Sequence, residues 1–213
     1  MKKILVITLM LLSGCATVEK PMLVAQFPVA DTAPIEMTAY KDTDLLWNTL
    51  VNEYFIYIEY SRFDLDNKMI QYNMAAYRDN YFDCGTYIIY DGKKQYEINP
   101  LAKKYEYTKT RGNFIDTYTV TNDVNIKVRV KMTKGTDQYF PVTDLKAVIF
   151  YNIKQVVELR STQTGDAIIG KVVKNYRTNN YRPVDIRFND KDISCTTDGY
   201  LEKKLKNELM PFL

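Results

Sequence analysis

The stretch Val124-Asn125-Ile126-Lys127-Val128-Arg129-Val130 alternates apolar and polar side chains without a break. Strand side chains point to opposite faces at a period of two, whereas a helix would scatter these aliphatic residues around its circumference. The segment therefore reads as a strand with Val124, Ile126, Val128 and Val130 on a buried face. Asn125, Lys127 and Arg129 then lie in water. A chain carrying this pattern must build a sheet and cover one side of it. Further strands are expected over 35–40, 55–60, 69–74, 87–90, 105–108, 117–120, 125–132, 147–159, 184–188 and 192–195. Asp64-Leu65-Asp66-Asn67-Lys68 supplies one turn, and Asp91-Gly92 is the strongest short hairpin signal in the chain.

Helical patterns flank this β-rich region. Asp42, Thr43 and Asp44 offer capping oxygens ahead of Leu46, Leu50 and Tyr54, which recur every four residues with Trp47 and Val51 beside them. Near the C-terminus Thr197 or Asp198 can cap a helix. Leu201, Leu205 and Leu209 line one side of it, and Glu202, Lys203, Lys204, Lys206 and Glu208 the other. Helix, many strands, helix reads as a single α+β domain over 35–213. An antiparallel curved sheet would carry both helices on one face. Residues 100–180 read as an enlarged strand region with a solvated loop at 174–182.

The first residues read as an address. Lys2 and Lys3 precede an apolar run from Ile4 to Leu12, interrupted by Thr8 and too short to span a bilayer as a helix. The run ends in Leu12-Ser13-Gly14-Cys15, which resembles a bacterial lipobox. That resemblance implies a signal peptide over 1–14, cleavage before Cys15, and acyl chains such as palmitate on Cys15. Ala16 after the cysteine resembles an outer-membrane rather than an inner-membrane address. An ordinary signal peptide with an incidental Cys15 is the competing reading. Pro21, Pro28 and Pro34 then mark an extended tether over 15–34. Met22, Leu23, Val24, Phe27 and Val29 are apolar for a spacer and would suit docking on the domain or on a partner.

Cleavage removes Lys2 and Lys3 from the 29 basic residues and leaves the 26 acidic ones, a formal charge of +1. Such a balance gives no electrostatic case for nucleic-acid binding. With Cys15 acylated, Cys84 and Cys195 remain in an oxidising compartment, where a disulfide between them is expected. The loop it closes, roughly 110 residues, corresponds to about 4–5 kcal/mol in the chain-entropy account. Two separate buried thiols are the alternative.

The order of elements, together with Phe55-Ile56-Tyr57-Ile58, Met69-Ile70-Gln71-Tyr72-Asn73, Asp83-Cys84-Gly85 and Cys195 to Glu202, is similar to the helix-grip domains of bacterial envelope lipoproteins. The lipoproteins of the outer-membrane β-barrel assembly machinery include such domains. The resemblance spans roughly 34–210. It implies a helix-grip fold and an accessory role in an envelope assembly beside a protein partner. It carries no catalytic residues.

The chain contains no His. Ser-His and Cys-His nucleophile pairs and His-ligated metals are thereby excluded. No phosphate-binding glycine loop, Gly-x-Ser-x-Gly or Cys-x-x-Cys is present. Asp64, Asp66 and Asn67 start like a calcium loop, but no Gly or closing Glu follows, so a polar turn is expected. No enzyme activity, cofactor or metal is expected. Two stretches interleave bases with aromatics: Lys103, Lys104, Tyr105, Tyr107, Lys109 and Arg111, then Lys174, Tyr176, Arg177, Tyr181 and Arg182. Such mixtures suit an anionic glycan or lipid, with peptidoglycan or lipopolysaccharide as the envelope candidates. The competing reading is ordinary strands with Tyr inward and Lys outward.

Overall fold

The computed structural model describes residues 22–26, 33–189 and 191–213. The expected signal peptide, Cys15 and most of the tether lie outside the described residues. In chain order the strands are β1 (Met22–Ala25), β2 (Ile35–Ala39), β3 (Arg62–Asp64), β4 (Met69–Met74), β5 (Phe82–Asp83), β6 (Thr86–Asp91), β7 (Lys94–Ile98), β8 (Lys104–Arg111), β9 (Phe114–Lys134), β10 (Thr143–Ser161), β11 (Ile168–Asn179), β12 (Val184–Phe188) and β13 (Lys191–Thr197). The helices are α1 (Thr43–Glu53) and α2 (Tyr200–Leu209).

The frame is a long antiparallel ribbon. β9 and β10 pair from Asp116–Ser161 through to Lys134–Thr143. Four shorter strands lie along its two outer edges. β8 and β4 succeed each other along β9, and β11 and β2 along β10, with β3 outside β4. The alternation that opened the sequence reading falls in the middle of this ribbon. Ile126, Val128 and Val130 are buried, as are Leu145, Ala147, Ile149, Tyr151 and Ile153 paired on the same face. Lys127 and Arg129 point the other way.

Both helices pack on the buried face at the end of the ribbon nearest the β9–β10 turn. Asp42 caps α1 by accepting from the N–H groups of Asp44 and Leu45. Leu46, Trp47 and Leu50 of α1 and Leu201, Leu205 and Leu209 of α2 are all buried. Burying each leucine contributes roughly 1.5–3 kcal/mol, which holds helices too short to persist alone. The Tyr54 hydroxyl donates to Glu208 at 2.7 Å and ties the two helices together.

Two small sheets cover the other end. One is β1–β6–β7 and the other β12–β13–β5. Aromatic rings fill the space beneath them: Tyr107 stacks on Tyr118 at 4.9 Å, while Tyr87 and Tyr105 meet Phe188 at 5.8 and 6.4 Å. A disulfide joins Cys84 to Cys195 and so links the β5–β6 connection to β13. Within the expected tether, Met22, Leu23 and Ala25 pair with β6. Gly85 makes room for that strand. It adopts φ +72°, and a side chain there would meet Leu23 and, at 2.6 Å, the Ala25 carbonyl.

The fold class differs from the sequence expectation. Among the described residues the protein is mostly β, 56% strand and 16% helical, built from three antiparallel sheets with two short helices. The α+β, helix-grip-like expectation of one curved sheet with helices over its face is overturned: there are three sheets, and the two short helices cover only part of the largest. Part of the reason is length. The segments 117–120 and 125–132 belong to one strand of 21 residues, because Thr121, Asn122 and Asp123 continue the ladder, Thr121 and Asp123 exposed to water and the buried Asn122 bonded to Gln155 of β10. Part is the 174–182 segment, which is strand β11 up to Asn179 rather than loop. The 55–60 run is not a strand either. Phe55–Tyr57 forms a single 3-10 turn that buries Phe55 and leaves Ile56 and Tyr57 outside.

Candidate functional site: a cationic sheet face

The outer face of the seven-stranded sheet holds no buried side chain among the described residues. Pairing fixes which residues share that face, since directly opposed residues project to the same side. One cross-strand row reads Arg62, Gln71, Arg129, Val148. The next reads Asn73, Lys127, Phe150, Asn179, and a third Asn125, Asn152, Arg177. Rows lie about 6.7 Å apart along a strand, and neighbours within a row about 4.8 Å. Four cations thus share three rows that contain no carboxylate. Acids bound the region instead: Glu36 is held by Lys146 at 2.9 Å on one side, and Asp123 sits opposite Lys154 on the other.

Amides and one aromatic complete the surface. Arg129 donates to the Gln71 carbonyl at 3.4 Å, and its guanidinium lies 5.1 Å from the centre of the Phe150 ring. Packing against a ring face orients the guanidinium and keeps its remaining N–H groups directed outward. Asn73, Asn125 and Asn152 are exposed, and each offers both donors and an acceptor. A cationic plane lined by amides can bind a polymer carrying carboxylates or phosphates together with hydroxyls. A depression of about 290 Å³ lies among Asp123, Asn125, Asn152, Lys154, Asn175 and Arg177.

The two base-aromatic stretches singled out in the sequence do not form one surface. They centre on β8 and β11, with Lys103, Tyr181 and Arg182 just outside the strands; β9 and β10 lie between, so the two strands are about 14 Å apart. Tyr107 is buried and Tyr105 packs beside it on the core side; burial raises both hydroxyls well above the usual tyrosine range. Tyr176 also turns to the core side, opposite Ile153. Lys103 lies 3.9 Å from Asp79, Lys104 3.9 Å from Glu106, and Arg111 3.2 Å from the buried Asp116. Lys109 donates to Asn189 at 2.6 Å. Lys174 donates to the Arg187 carbonyl, and Arg182 lies over the Tyr181 ring. Arg177 alone joins the three central rows.

The sequence reading placed Lys127 and Arg129 in water but did not assign them a role. The available signal was three bases on one side of one strand, Lys127, Arg129 and Lys131. Arg62 and Asn73 are far away in sequence and reach the face only through strand pairing. Asp64 closes its turn by accepting from both the backbone and the side-chain amide of Asn67. Among the described residues no group of three or more Cys, Asp or Glu side chains is placed to hold a metal, and no helix is long and apolar enough to cross a membrane. No family model, curated protein or solved structure matches the chain.

Proposed function

We propose that the chain is a lipid-anchored envelope protein, acylated at Cys15 and held at the outer membrane facing the periplasm, that binds an anionic envelope glycan without turning it over. The anchor rests on the lipobox. The absence of His and of any nucleophile motif supports a binding role over an enzymatic one. The observation that carries the ligand class is the uncovered sheet face, where Arg62, Arg129, Lys127 and Arg177 share three rows with exposed amides and no acid.

Retention of the detergent-solubilised full chain on immobilised polygalacturonate, against neutral dextran, tests this. Wild type should be retained at low salt and released at several hundred millimolar, where charges more than a few ångströms apart are screened. The triple variant Lys127→Gln, Arg129→Gln, Arg177→Gln should lose at least tenfold in affinity. Equal retention of the triple variant and wild type, or no retention of either, would overturn the assignment.

One observation favours a second partner, a protein. The first half of β11, Ile168 to Val173, pairs on one side only, and Ile168, Ile169, Val172 and Val173 are all exposed. An unpaired edge with apolar side chains on both faces accepts an added strand. This suits an accessory role in an envelope assembly. Photo-crosslinking from position 172 in the native host should capture a protein, and a Val172→Pro variant should abolish the capture.

A further inference from the structure

Tyr60 combines features that a surface tyrosine in a turn does not need. It is 81% exposed yet adopts φ +61°, the left-handed region that bulky L-residues avoid. Two contacts hold the next residue in place. The Ser61 hydroxyl donates to the Ile58 carbonyl at 2.8 Å and lies 3.4 Å from the Phe55 carbonyl, pinning the turn to the buried Phe55. The strain gains no core packing, because the ring stays in water. Tyr60 lines a concavity of about 310 Å³ with Arg62, Gln71, Asn73 and Lys127.

These groups are complementary to one kind of ligand. Arg62 and Lys127 supply charge, and Arg62 can pair in two-point fashion with a carboxylate or phosphate. Gln71 and Asn73 lie between them on β4 and offer donors and acceptors for vicinal hydroxyls. An exposed tyrosine ring at the rim presents a flat apolar face. The volume is at the low end for small-molecule sites and suits a sugar unit better than an extended peptide. We infer that this groove is a specific subsite for a single pyranose unit bearing a carboxylate or a phosphate, with Tyr60 as the stacking platform and Arg62 and Lys127 as the anion clamp. This rests on the glycan reading above and adds recognition of the unit to attraction by the face. Backbone strain persisting at an exposed position is what a preorganised contact requires.

The test uses the detergent-solubilised full chain and three soluble probes: a glucuronic acid trisaccharide, glucose 6-phosphate and glucose. Titration calorimetry should show binding of at least one anionic probe and none of glucose; which one binds identifies the anion. Tyr60→Gly should raise the melting temperature, since glycine adopts the left-handed conformation freely, while weakening that binding at least tenfold. Tyr60→Phe should keep both affinity and stability near wild type. Lys154→Gln, on the same face but outside the groove, should leave the soluble probe's affinity within twofold and weaken only the polymer. Unchanged affinity in Tyr60→Gly, or equal losses in Lys154→Gln and Arg62→Gln, would overturn the subsite. If polygalacturonate is retained but no soluble probe binds, the groove assignment fails while the cationic face stands.

Discussion

Cys84 and Cys195 lie 111 residues apart in sequence and are bonded to each other beneath the small sheets. Cys195, in β13, pairs with Val184 of β12, and the next residue, Thr196, pairs with Asp83 of β5. The bond therefore reinforces the short β5–β13 contact, which two residue pairs and the Asp198 N–H bond to the Tyr81 carbonyl also hold. Reduction, or the double change Cys84→Ala and Cys195→Ala, should cost about 2–5 kcal/mol. Chemical denaturation with and without a reductant measures it; overlapping curves would show that the covering sheets are held by packing alone.

Glu202 sits on α2 against the sheet, with Tyr151 3.5 Å away, and burial raises its carboxyl above the usual glutamate range. The folded chain therefore keeps a proton that the unfolded chain has already released. Stability is greatest below the ordinary glutamate pKa, falls as pH rises from there through the folded value, and is level above it. Glu202→Gln should be more stable than wild type at pH 7 and equal to it at low pH, before global acid unfolding. A melting-temperature series between pH 3.5 and 8 reads the difference, and a constant gap across that range would contradict it.

Leu205 is fully buried, whereas Lys203 is exposed on the same helix. Leu205→Ala should cost about 2–5 kcal/mol and Lys203→Ala less than about 0.5. Lys204 is a poorer control than its spacing suggests, since it donates to the Tyr77 hydroxyl at 3.2 Å and lies over that ring. Equal stabilities for the first two variants in urea would mean that α2 is not docked.

Periodicity exposed what was local. The 124–130 alternation, the Asp42 cap, the leucine stripe of α2 and the Asp91-Gly92 hairpin each lie within one turn or one strand, and the structure shows them. The extent of β9 was hidden because Asn122 interrupts the apolar pattern on the buried face, opposite Gln155 of the 147–159 segment that does read as a strand. They satisfy each other there, Gln155 donating to Asn122 at 3.0 Å and Asn122 to the Ala102 carbonyl at 2.6 Å. Nothing in a linear pattern reveals such a partner 33 residues away. The same limit hid the cationic face: Arg62, Lys127 and Arg177 become neighbours through register, a property of pairs of strands.

That buried amide pair has its own consequence. Asn122→Leu would leave the Ala102 carbonyl without its side-chain donor and the Gln155 amide with only its longer 3.4 Å bond to the Pro100 carbonyl, at roughly 1–3 kcal/mol for the group left unpaired. Gln155→Met, which leaves Asn122 its bond to Ala102, should cost less. Denaturant midpoints for the two variants give the ordering, and a milder Asn122 variant would show that the carbonyls have found other partners.

The cations of the outer face also act on one another. Lys127, Arg129 and Lys131 follow at every second position of β9, so their backbone sites are about 6.7 Å apart on one side of the sheet. At that spacing two unit charges repel by about 0.6 kcal/mol in water. Glutamate partners that relieve Lys146 and Lys171 elsewhere on this sheet are missing from the central rows, where Arg129 has only the neutral Gln71 and the Phe150 ring. Removing Lys127, at the end of this ladder, should relieve its repulsion with Arg129. Lys127→Gln is expected to raise stability by about 0.5 kcal/mol at 10 mM salt and by almost nothing at 1 M, where screening reaches a few ångströms. The same substitution should weaken retention on polygalacturonate. Stability gained and binding lost in one variant is the signature of charge kept for a ligand rather than for the fold. A Lys127→Gln protein that is less stable at low salt would mean that the ladder is structural.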